Sequence, residues 1–482
     1  MLDTHPADTP LSIVWLERDL RLSDNPALFA ARGTRMLLIF IEDTFNVQLH
    51  RTGSASRVWQ HHSLQALQQE TQGLNFYRGD PLEILLELCR RYNPVAVHWN
   101  RRYTPWQLRR DAHIAEQLQA AGWANSQFAG ALLHEPWSAL KSDASAYRVF
   151  TPYYRKLRSL PQRQPHSQVD GLQFYRDAQA LSLDQLALLP DHPWAERLIA
   201  NWQPGEAGAQ RNLNRLVASA LKGYSQQRDL PSEQVISKLS AHLQWGEISP
   251  AQILAALAQL PASDDSESFI RQLYWRDFSY YCLFHNPRMS VDNMRSQFDR
   301  FPWRTDAQQL SRWQRGQTGH PLVDAGMREL WQTGFIHNRV RMLCASFLVK
   351  HLCIDWRLGA SWFWDCLIDA DLACNSAGWQ WVAGSGIDAA PYFRVFNPAT
   401  QGEKFDPQGD YCRALVPELK TLPSKWLYRP WDAPVEVLKD AGVTLGESYP
   451  HPVISLENGR AQALNAYAQI KQTPSESREL AL

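Results

Sequence analysis

The first part of the chain alternates short apolar runs with stretches of helical periodicity. Three runs, at Leu11–Leu16 and at residues 36–41 and 95–99, are almost continuously apolar, as strands buried on both faces are. Between them, residues 63–74 repeat apolar positions at helical spacing, and residues 81–91 begin with a proline, which suits the first turn of a helix. Strands separated by helices predict an α/β domain with a doubly wound parallel sheet.

The second part of the chain carries mostly helical periodicity, and strand alternation is nearly absent from it. Between the two parts, six prolines from Pro152 to Pro204 interrupt the pattern, so we expect a long surface connection with some helix. We therefore expect an α/β domain at 1–132, an interdomain linker at 133–206 and an all-helical domain at 207–475. The helices predicted in the last domain are 213–221, 250–260, 268–283, 321–333, 338–352, 360–368 and 461–470.

Composition narrows the class of protein. Of the 482 residues, 44% are apolar and 20% are charged, which is typical of a soluble globular chain. The 49 lysines and arginines balance the 49 aspartates and glutamates, so an anionic partner has to be bound by a local patch. Seven scattered cysteines without a CxxC pair indicate reduced thiols in a cytoplasmic protein and no metal site. No apolar run reaches about 18 residues, and residues 1–20 lack the apolar core of a signal peptide, so no membrane segment is predicted.

Tryptophan and arginine are concentrated in the helical half. Tryptophan is most often a core residue, but closely spaced indoles also relay electrons and stack on bases. Residues 294–342 hold eight arginines against four carboxylates and no lysine, which favours either a solvated helix face or a surface for a polyanion such as DNA. The tryptophans concerned are Trp275, Trp303, Trp313, Trp331, Trp356, Trp362, Trp364, Trp379 and Trp381.

Polar residues recur at helical spacing among apolar neighbours. Asp371, Asn375 and Trp379 stand at i, i+4 and i+8, on one stripe of an unbroken helix. Buried polar groups need partners, which are either helix caps and ion pairs or a polar cofactor. The chain has no GxGxxG and no Walker loop, so a standard dinucleotide or phosphate site is not supported.

Several sequence motifs follow one another along nearly the whole chain. Residues 15–21 read WLERDLR and precede the pair Asp24 and Asn25, and residues 149–152 read VFTP. Between residues 319 and 405 lie HPLVDAGMREL, IHNRVRM, IDWR, DADLACNSAGWQW, DAAPYFRVFNP and QGEKF. With these motifs the chain resembles the DNA photolyase and cryptochrome family, and is most like the bacterial class I cyclobutane pyrimidine dimer photolyases.

The resemblance implies a light-driven flavoenzyme. The helical domain would bind one FAD without covalent attachment, and the α/β domain would hold or face an antenna chromophore. Blue light would excite the reduced, anionic flavin, which would pass an electron to a thymine dimer flipped out of UV-damaged DNA. No general acid or base is then required, and a monomer without an obligatory protein partner is expected.

The resemblance also assigns residues to the FAD site. Arg276 and Arg341 match flavin-site arginines, and Asn375 matches the asparagine beside flavin N5, where a neutral amide does not oppose an anionic ring. Phe269 and Phe335 stand where members of the family have tryptophan. The other residues matched to FAD binding are Tyr224, Ile236, Ser237, Lys238, Leu239, Ser240, Asn338, Asp369, Ala370 and Asp371.

Two further sets carry over from the family. Trp379, Trp356 and Trp303 match the electron relay that runs from the flavin to the surface, and Trp275 and Trp381 match the two indoles that wedge the dimer. The other residues matched to dimer or DNA contacts are Arg228, Gln272, Arg276, Asn338, Arg339, Met342 and Gln401.

Departures from the family pattern leave three points open. Gln272 replaces the usual glutamate at the thymine edge and also resembles (6-4) photolyases, although His337 and Asn338 lack the histidine pair of those enzymes. Trp106 and Gln107 replace the Asn-Glu pair of folate-binding members, so a folate antenna is disfavoured. The alternatives are a deazaflavin, a flavin or no antenna. The possible lining residues of an antenna site are Arg57, Trp59, His61 and His62. A cryptochrome-type blue-light receptor is the other alternative to dimer repair, and the asparagine at 375 together with a short tail favours repair.

Overall fold

The computed structural model describes residues 9–45, 51–167, 171–233, 235–392 and 394–471. The first residues of the signal-peptide window and the polar tail after residue 471 lie outside the described residues. Within the described ranges, no helix is both long and apolar enough to cross a bilayer.

A parallel sheet organises the N-terminal domain, as the alternating pattern predicted. Its main strands run in the order β3-β2-β1-β4-β5, and β6 pairs with the start of β2, at Arg35 and Met36, where β3 does not reach. Because the chain winds outward in both directions from β1, the sheet is doubly wound. The strands are β1 (Leu11–Leu16), β2 (Arg35–Asp43), β3 (Leu74–Gly79), β4 (Ala96–Asn100), β5 (Asn125–Phe128) and β6 (Gln173–Phe174).

The helices of this domain cover both faces of the sheet, and one predicted boundary was wrong. Helix α2 begins at Ser54 and ends at Thr71, and Leu74, which we had placed at the end of this helix, instead begins β3. The hydrogen-bonded pairing of Leu74 with Leu38 on β2 decides this, which helical spacing cannot reveal. The helices are α1 (Pro26–Ala30), α2 (Ser54–Thr71), α3 (Pro81–Tyr92) and α4 (Pro105–Ala120).

The connection between the domains contains helices α5 (Phe150–Arg158) and α6 (Trp194–Ile199) as well as β6. It is fastened at Asp24, whose carboxylate accepts two hydrogen bonds of 2.6 Å from Arg163 and one of 2.5 Å from Ser249 of the helical domain. Because β6 pairs with β2, the connection contributes a strand to the sheet of the α/β domain as well as a surface segment. The domain boundaries at 132 and 206 stay predictions.

The second half of the chain is helical, as predicted. Helix α11 packs against α16, and α15 packs closely on α16, since a Cβ placed on Gly359 of α15 would lie 2.1 Å from Cη2 of Trp379. Short π-helical segments, Leu216–Ala220 and Phe347–His351, prolong α7 and α14. The helices are α7 (Glu206–Arg215), α8 (Tyr224–Gln227), α9 (Ser240–Trp245), α10 (Pro250–Leu257), α11 (Asp264–His285), α12 (Ala307–Gln314), α13 (Pro321–Thr333), α14 (Asn338–Ser346), α15 (Trp356–Cys366), α16 (Leu372–Ala383), α17 (Pro398–Phe405), α18 (Asp410–Leu415), α19 (Ser424–Leu427), α20 (Val435–Asp440) and α21 (Leu456–Lys471).

Candidate functional site

A cavity of about 610 Å³ lies in the helical domain, between α8, α9, α11, α14 and α16. Its volume is within the range of small-molecule and cofactor sites. Most residues that the sequence assigned to FAD or DNA line this one cavity, although they come from segments up to 157 residues apart. They are Tyr224, Arg228, Ser237, Leu239, Ser240, Phe269, Gln272, Trp275, Arg276, Asn338, Arg339, Arg341, Met342, Asp369, Asp371 and Trp381.

Six predicted contact residues do not line the cavity. The Asn375 amide donates a 3.0 Å hydrogen bond to the carbonyl of Ala360 on α15. Lys238 places its ammonium 5.2 Å from the ring centroid of Trp202, and the Ala370 carbonyl accepts from Gln244 at 2.6 Å. The six residues are Ile236, Lys238, Phe335, Ala370, Asn375 and Gln401, and their roles stay predictions.

Two buried carboxylates give the cavity a polar side. Asp369 accepts hydrogen bonds of 3.2 and 3.3 Å from Arg341, which neutralises its charge. Asp371 caps helix α16 by accepting from the Cys374 backbone N–H at 2.8 Å, and it also accepts from the Tyr280 hydroxyl. Burial and the nearby Asp371 raise the pKa of Tyr280 well above its usual value, so this hydroxyl stays a hydrogen-bond donor.

Arg276 connects the cavity to the α/β side of the molecule. Its guanidinium donates to the Ala131 carbonyl at 2.7 Å and lies 5.1 Å from the ring centroid of Tyr280. Burial lowers the pKa of Arg276, but Tyr280 and Asp371 outweigh burial and raise it, so Arg276 is a permanent cation on the cavity wall. A fixed cation of this kind suits phosphate or an anionic ring.

Aromatic side chains form the apolar side of the cavity. Trp275 stacks on Phe150 with ring centroids 3.7 Å apart and planes 8° apart, and Tyr224 meets Phe269 edge-on at 5.3 Å. Phe150 was recognised only as part of the VFTP motif, and its role behind Trp275 was missed. No local signal could have found it, because the two residues lie 125 positions apart in the chain.

The three relay tryptophans differ in burial. Trp379 and Trp356 are buried, at 2% and 0% exposure, whereas Trp303 is half-buried. A backbone pairing of Arg304 with Ile354 brings the segments of Trp303 and Trp356 together. This gradient from interior toward surface suits an electron relay, which stays a prediction.

Of the eight arginines in the basic stretch, Arg339 and Arg341 line the cavity. Two others are engaged by protein partners. Arg328 forms a two-point ion pair with Glu418 at 2.8 and 2.9 Å, and Arg312 donates to backbone carbonyls. The count of arginines in the sequence therefore overstated the surface available to a polyanion.

The residues present fit a flavin dinucleotide. Arg341 Nε and Gln244 Oε1 are buried without a hydrogen-bond partner among the described residues, although both side chains reach the cavity. Buried polar atoms of this kind normally have partners, so the site is built to receive a polar ligand. The Ser237 and Ser240 hydroxyls suit phosphate oxygens, and the Phe269 ring suits an apolar ring system.

A small cleft of about 60 Å³ adjoins the cavity on the α/β side, and Arg276 and Asp371 line both. Trp106 and Gln107 line the cleft, but the Gln107 amide donates to Glu17. Trp59, a possible antenna residue, is buried and donates to Glu247 at 3.0 Å. The antenna chromophore and its lining residues stay predictions.

Together, a doubly wound α/β domain and a helical domain with a polar and aromatic cavity define a flavin-binding protein of two domains. Comparison with known families agrees: residues 12–169 match the family described as DNA photolyase, and residues 269–469 match the FAD binding domain of DNA photolyase. A deoxyribodipyrimidine photo-lyase of Agrobacterium fabrum is 44% identical over 96% of this chain and 98% of its own length. Cryptochrome-2 of Arabidopsis thaliana is 34% identical over 96% of this chain and 79% of its own length.

The fold is also similar to a solved structure. The crystal structure of a bacterial class III photolyase from Agrobacterium tumefaciens superimposes with a TM-score of 0.94 at 43% identity, covering 98% of this chain and all of that one. The chain belongs to the DNA photolyase and cryptochrome family, and its cofactor is FAD. The family prediction is confirmed; the likeness to class I stays a prediction, since this similar structure is of class III.

Proposed function

We propose that the protein repairs cyclobutane pyrimidine dimers in UV-damaged DNA with light, as a monomer in the cytoplasm. The observation that carries the proposal is that one cavity is lined both by the flavin-type residues, such as Arg341 and Asp369, and by residues suited to a flipped-out pyrimidine dimer, such as Trp275, Gln272 and Trp381. A cofactor and a lesion in the same cavity would lie within electron-transfer reach of each other.

The residues of this chain would prepare the site rather than carry out proton chemistry. Bound, reduced FAD supplies the electron for dimer cleavage when it is excited by light. Arg276 and Arg341 would hold the cofactor's negative charge, while Trp275 and Trp381 would hold the dimer by stacking. Phe150 stacks on one face of Trp275, and Trp275 also lines the cavity, where it would meet a base.

Gln272 bears on the type of lesion. In the free protein its amide oxygen accepts from Arg228 at 3.1 Å, and its NH₂ group donates to the Ser268 carbonyl at 3.0 Å. An amide offers one donor edge and one acceptor edge to a pyrimidine, so either a cyclobutane dimer or a (6-4) product is within its hydrogen-bonding capacity. Asn338 follows His337 at the place where (6-4) photolyases carry a second histidine. This difference favours the cyclobutane dimer.

A blue-light receptor is the second candidate. The similarity to cryptochrome-2 over 96% of the chain supports it, and the family resemblance implies that such receptors use the same flavin and tryptophan chain. The residue at position 375 favours repair over signalling, since it is asparagine rather than aspartate.

The decisive experiment is light-dependent repair of defined oligonucleotides by the purified, FAD-loaded protein. One duplex carries a single cyclobutane thymine dimer and the other a single (6-4) product, each assayed in blue light and in the dark. We expect restoration of the cyclobutane dimer in light only. Repair of the (6-4) product alone would reassign the lesion, and flavin photochemistry without repair of either would favour the receptor.

Binding supplies an independent measurement. Arg228 and Arg339 line the cavity as candidate phosphate contacts, so affinity for the dimer duplex is expected to fall as salt rises, with a slope in log-log form of about −0.9 per phosphate contacted. Affinity that does not change with salt would contradict the DNA interface.

A further inference from the structure

Asp229, which no family motif singled out, lies between two of the arginines predicted to contact DNA. Its carboxylate forms a direct ion pair with Arg339 through Oδ2, and its Oδ1 lies 4.0 Å from Nε of Arg228. All three side chains line the cavity. Asp229 and Arg339 come from segments 110 residues apart, so the pair depends on the tertiary fold.

Both arginines are held by protein partners in the free protein. Arg228 donates to Gln272 at 3.1 Å and lies 5.6 Å from the ring centroid of Tyr224. Arg339 lies 4.5 Å from the ring centroid of Phe405. The aromatic contacts involve the guanidinium faces and not their N–H groups: Arg228 donates to Gln272, and Arg339 donates to the Asp229 carboxylate.

Carboxylate and phosphate oxygens bind arginine in the same geometry. A DNA phosphate that takes the Nη2 donor of Arg339 displaces Asp229, and the displaced carboxylate then stands as a like charge beside the phosphate. We propose that Asp229 competes with a DNA phosphate for Arg339. This competition weakens DNA binding and speeds release of repaired DNA. This inference rests on the proposed DNA-repair function.

The exposure of the pair makes such an exchange possible. The Arg339 and Asp229 side chains are 23% and 35% exposed, and ion pairs with this much solvent contact are weak. Incoming phosphate can therefore replace the carboxylate without unfolding its surroundings. A fully buried pair would instead be a fixed part of the fold.

The test compares Asp229→Asn with the wild-type FAD-loaded protein, with Glu87→Gln as control. Glu87 is an exposed carboxylate on α3 that pairs with Arg91 in the α/β domain, so the control removes the same net charge elsewhere. Dissociation constants and dissociation rates are measured by fluorescence anisotropy on duplexes with and without a cyclobutane dimer, from about 50 to about 300 mM salt.

We expect Asp229→Asn to bind both duplexes roughly 3- to 10-fold more tightly at low salt and to dissociate more slowly, with the difference shrinking as salt screens the repulsion. Glu87→Gln should behave as the wild type. Unchanged or weaker binding by Asp229→Asn, in protein with full flavin content, would overturn the inference. If Asp229→Asn does not retain FAD, Asp229→Ser is measured by the same criteria.

A double-mutant cycle tests the route through Arg339. If Asp229 competes at Arg339, the gain in affinity from Asp229→Asn is smaller in an Arg339→Gln background, where only the repulsion between carboxylate and phosphate is left to remove. An equal gain in both backgrounds would overturn competition at this arginine. If the wild type neither binds dimer DNA nor repairs it, the proposed function is wrong. If the wild type repairs normally and Asp229→Asn has the wild-type affinity and dissociation rate, only this inference is wrong.

Discussion

The buried carboxyl of Asp277 should make the stability of this protein fall as pH rises. Asp277 lies on α11 at 1% exposure, and its Oδ2 accepts from the backbone N–H groups of Leu133 at 2.9 Å and His134 at 3.1 Å. Its Oδ1 has no hydrogen-bond partner among the described residues. Burial raises the pKa of Asp277 to about 7, although the neighbouring Arg276 opposes the shift.

The direction in which the unfolding free energy changes with pH depends on how many protons the folded and unfolded states bind. Between the usual value of 3.8 and a folded pKa of about 7, the folded protein keeps a proton that the unfolded chain has lost. The unfolding free energy therefore decreases with rising pH in this window, by about 1.4 kcal/mol per unit. The decrease amounts to ~4 kcal/mol at most and is complete above pH ~7.

Asp277→Asn removes this titration while keeping the shape of the protonated acid. Urea unfolding of the FAD-loaded protein, followed by tryptophan fluorescence between about pH 5 and 8, should show that the variant gains stability over the wild type as pH rises. Comparing the two proteins cancels the contributions of the other titrating groups. In parallel, the infrared difference spectrum of wild type minus variant at pH 5 should show the band of one protonated carboxyl.

Asp143→Asn is the control, because Asp143 is fully exposed and hydrogen-bonding from Ser145 lowers its pKa. Asp143 is ionised in both the folded and the unfolded chain across pH 5 to 8, so its variant should differ from the wild type by the same amount at every pH. A pH-independent difference for Asp277→Asn would refute the reasoning, because it would mean that Asp277 is already ionised at pH 5 in the folded protein.

Three shorter predictions concern the relay and the lesion side of the cavity. Trp379→Phe should abolish or strongly slow photoreduction of oxidised FAD, measured by absorbance under blue light, and should leave repair by pre-reduced enzyme nearly intact. Photoreduction at the original rate would exclude Trp379 from the relay. Gly359→Ala should also slow photoreduction and destabilise the protein in urea by roughly 1–3 kcal/mol, because the added Cβ would lie 2.1 Å from Trp379 and 2.6 Å from Leu348. Phe150→Leu should weaken binding of dimer duplex about 2- to 10-fold, since it removes a ring stack of roughly 0.5–1.5 kcal/mol behind Trp275, with an unchanged flavin spectrum; equal affinity would show that Trp275 needs no support.

The parts of the fold that the sequence predicted well are those with a strong local period. Strand β1 and helix α13 were predicted at their observed bounds, because each has a clear pattern of apolar residues. Strand β5 was missed: its sequence is NSQF, and none of its residues is fully buried, so no apolar run marks it. It is a strand because Asn125–Phe128 pairs with β4, and pairing partners are invisible to a local pattern.

The candidate site shows the same division. The family resemblance identified Arg341, Asp369 and Trp275, and these residues line the cavity. Asn375 carries the same weight in the motif, yet its amide bonds to Ala360 on a neighbouring helix. Whether a motif residue reaches the cavity depends on which helix packs beside it.

The sequence by itself determined the two kinds of domain, the family and the spacing of polar residues along α16, because the α-helical repeat converts positions i and i+4 into one face. Only the tertiary structure decided that Phe150 supports Trp275, that Arg276 reaches Ala131, and that Asp229 covers Arg339. Each of these contacts joins residues more than 100 positions apart. The physical reason is that such contacts depend on how whole helices and the connecting segment pack, and no local periodicity of the chain records that packing.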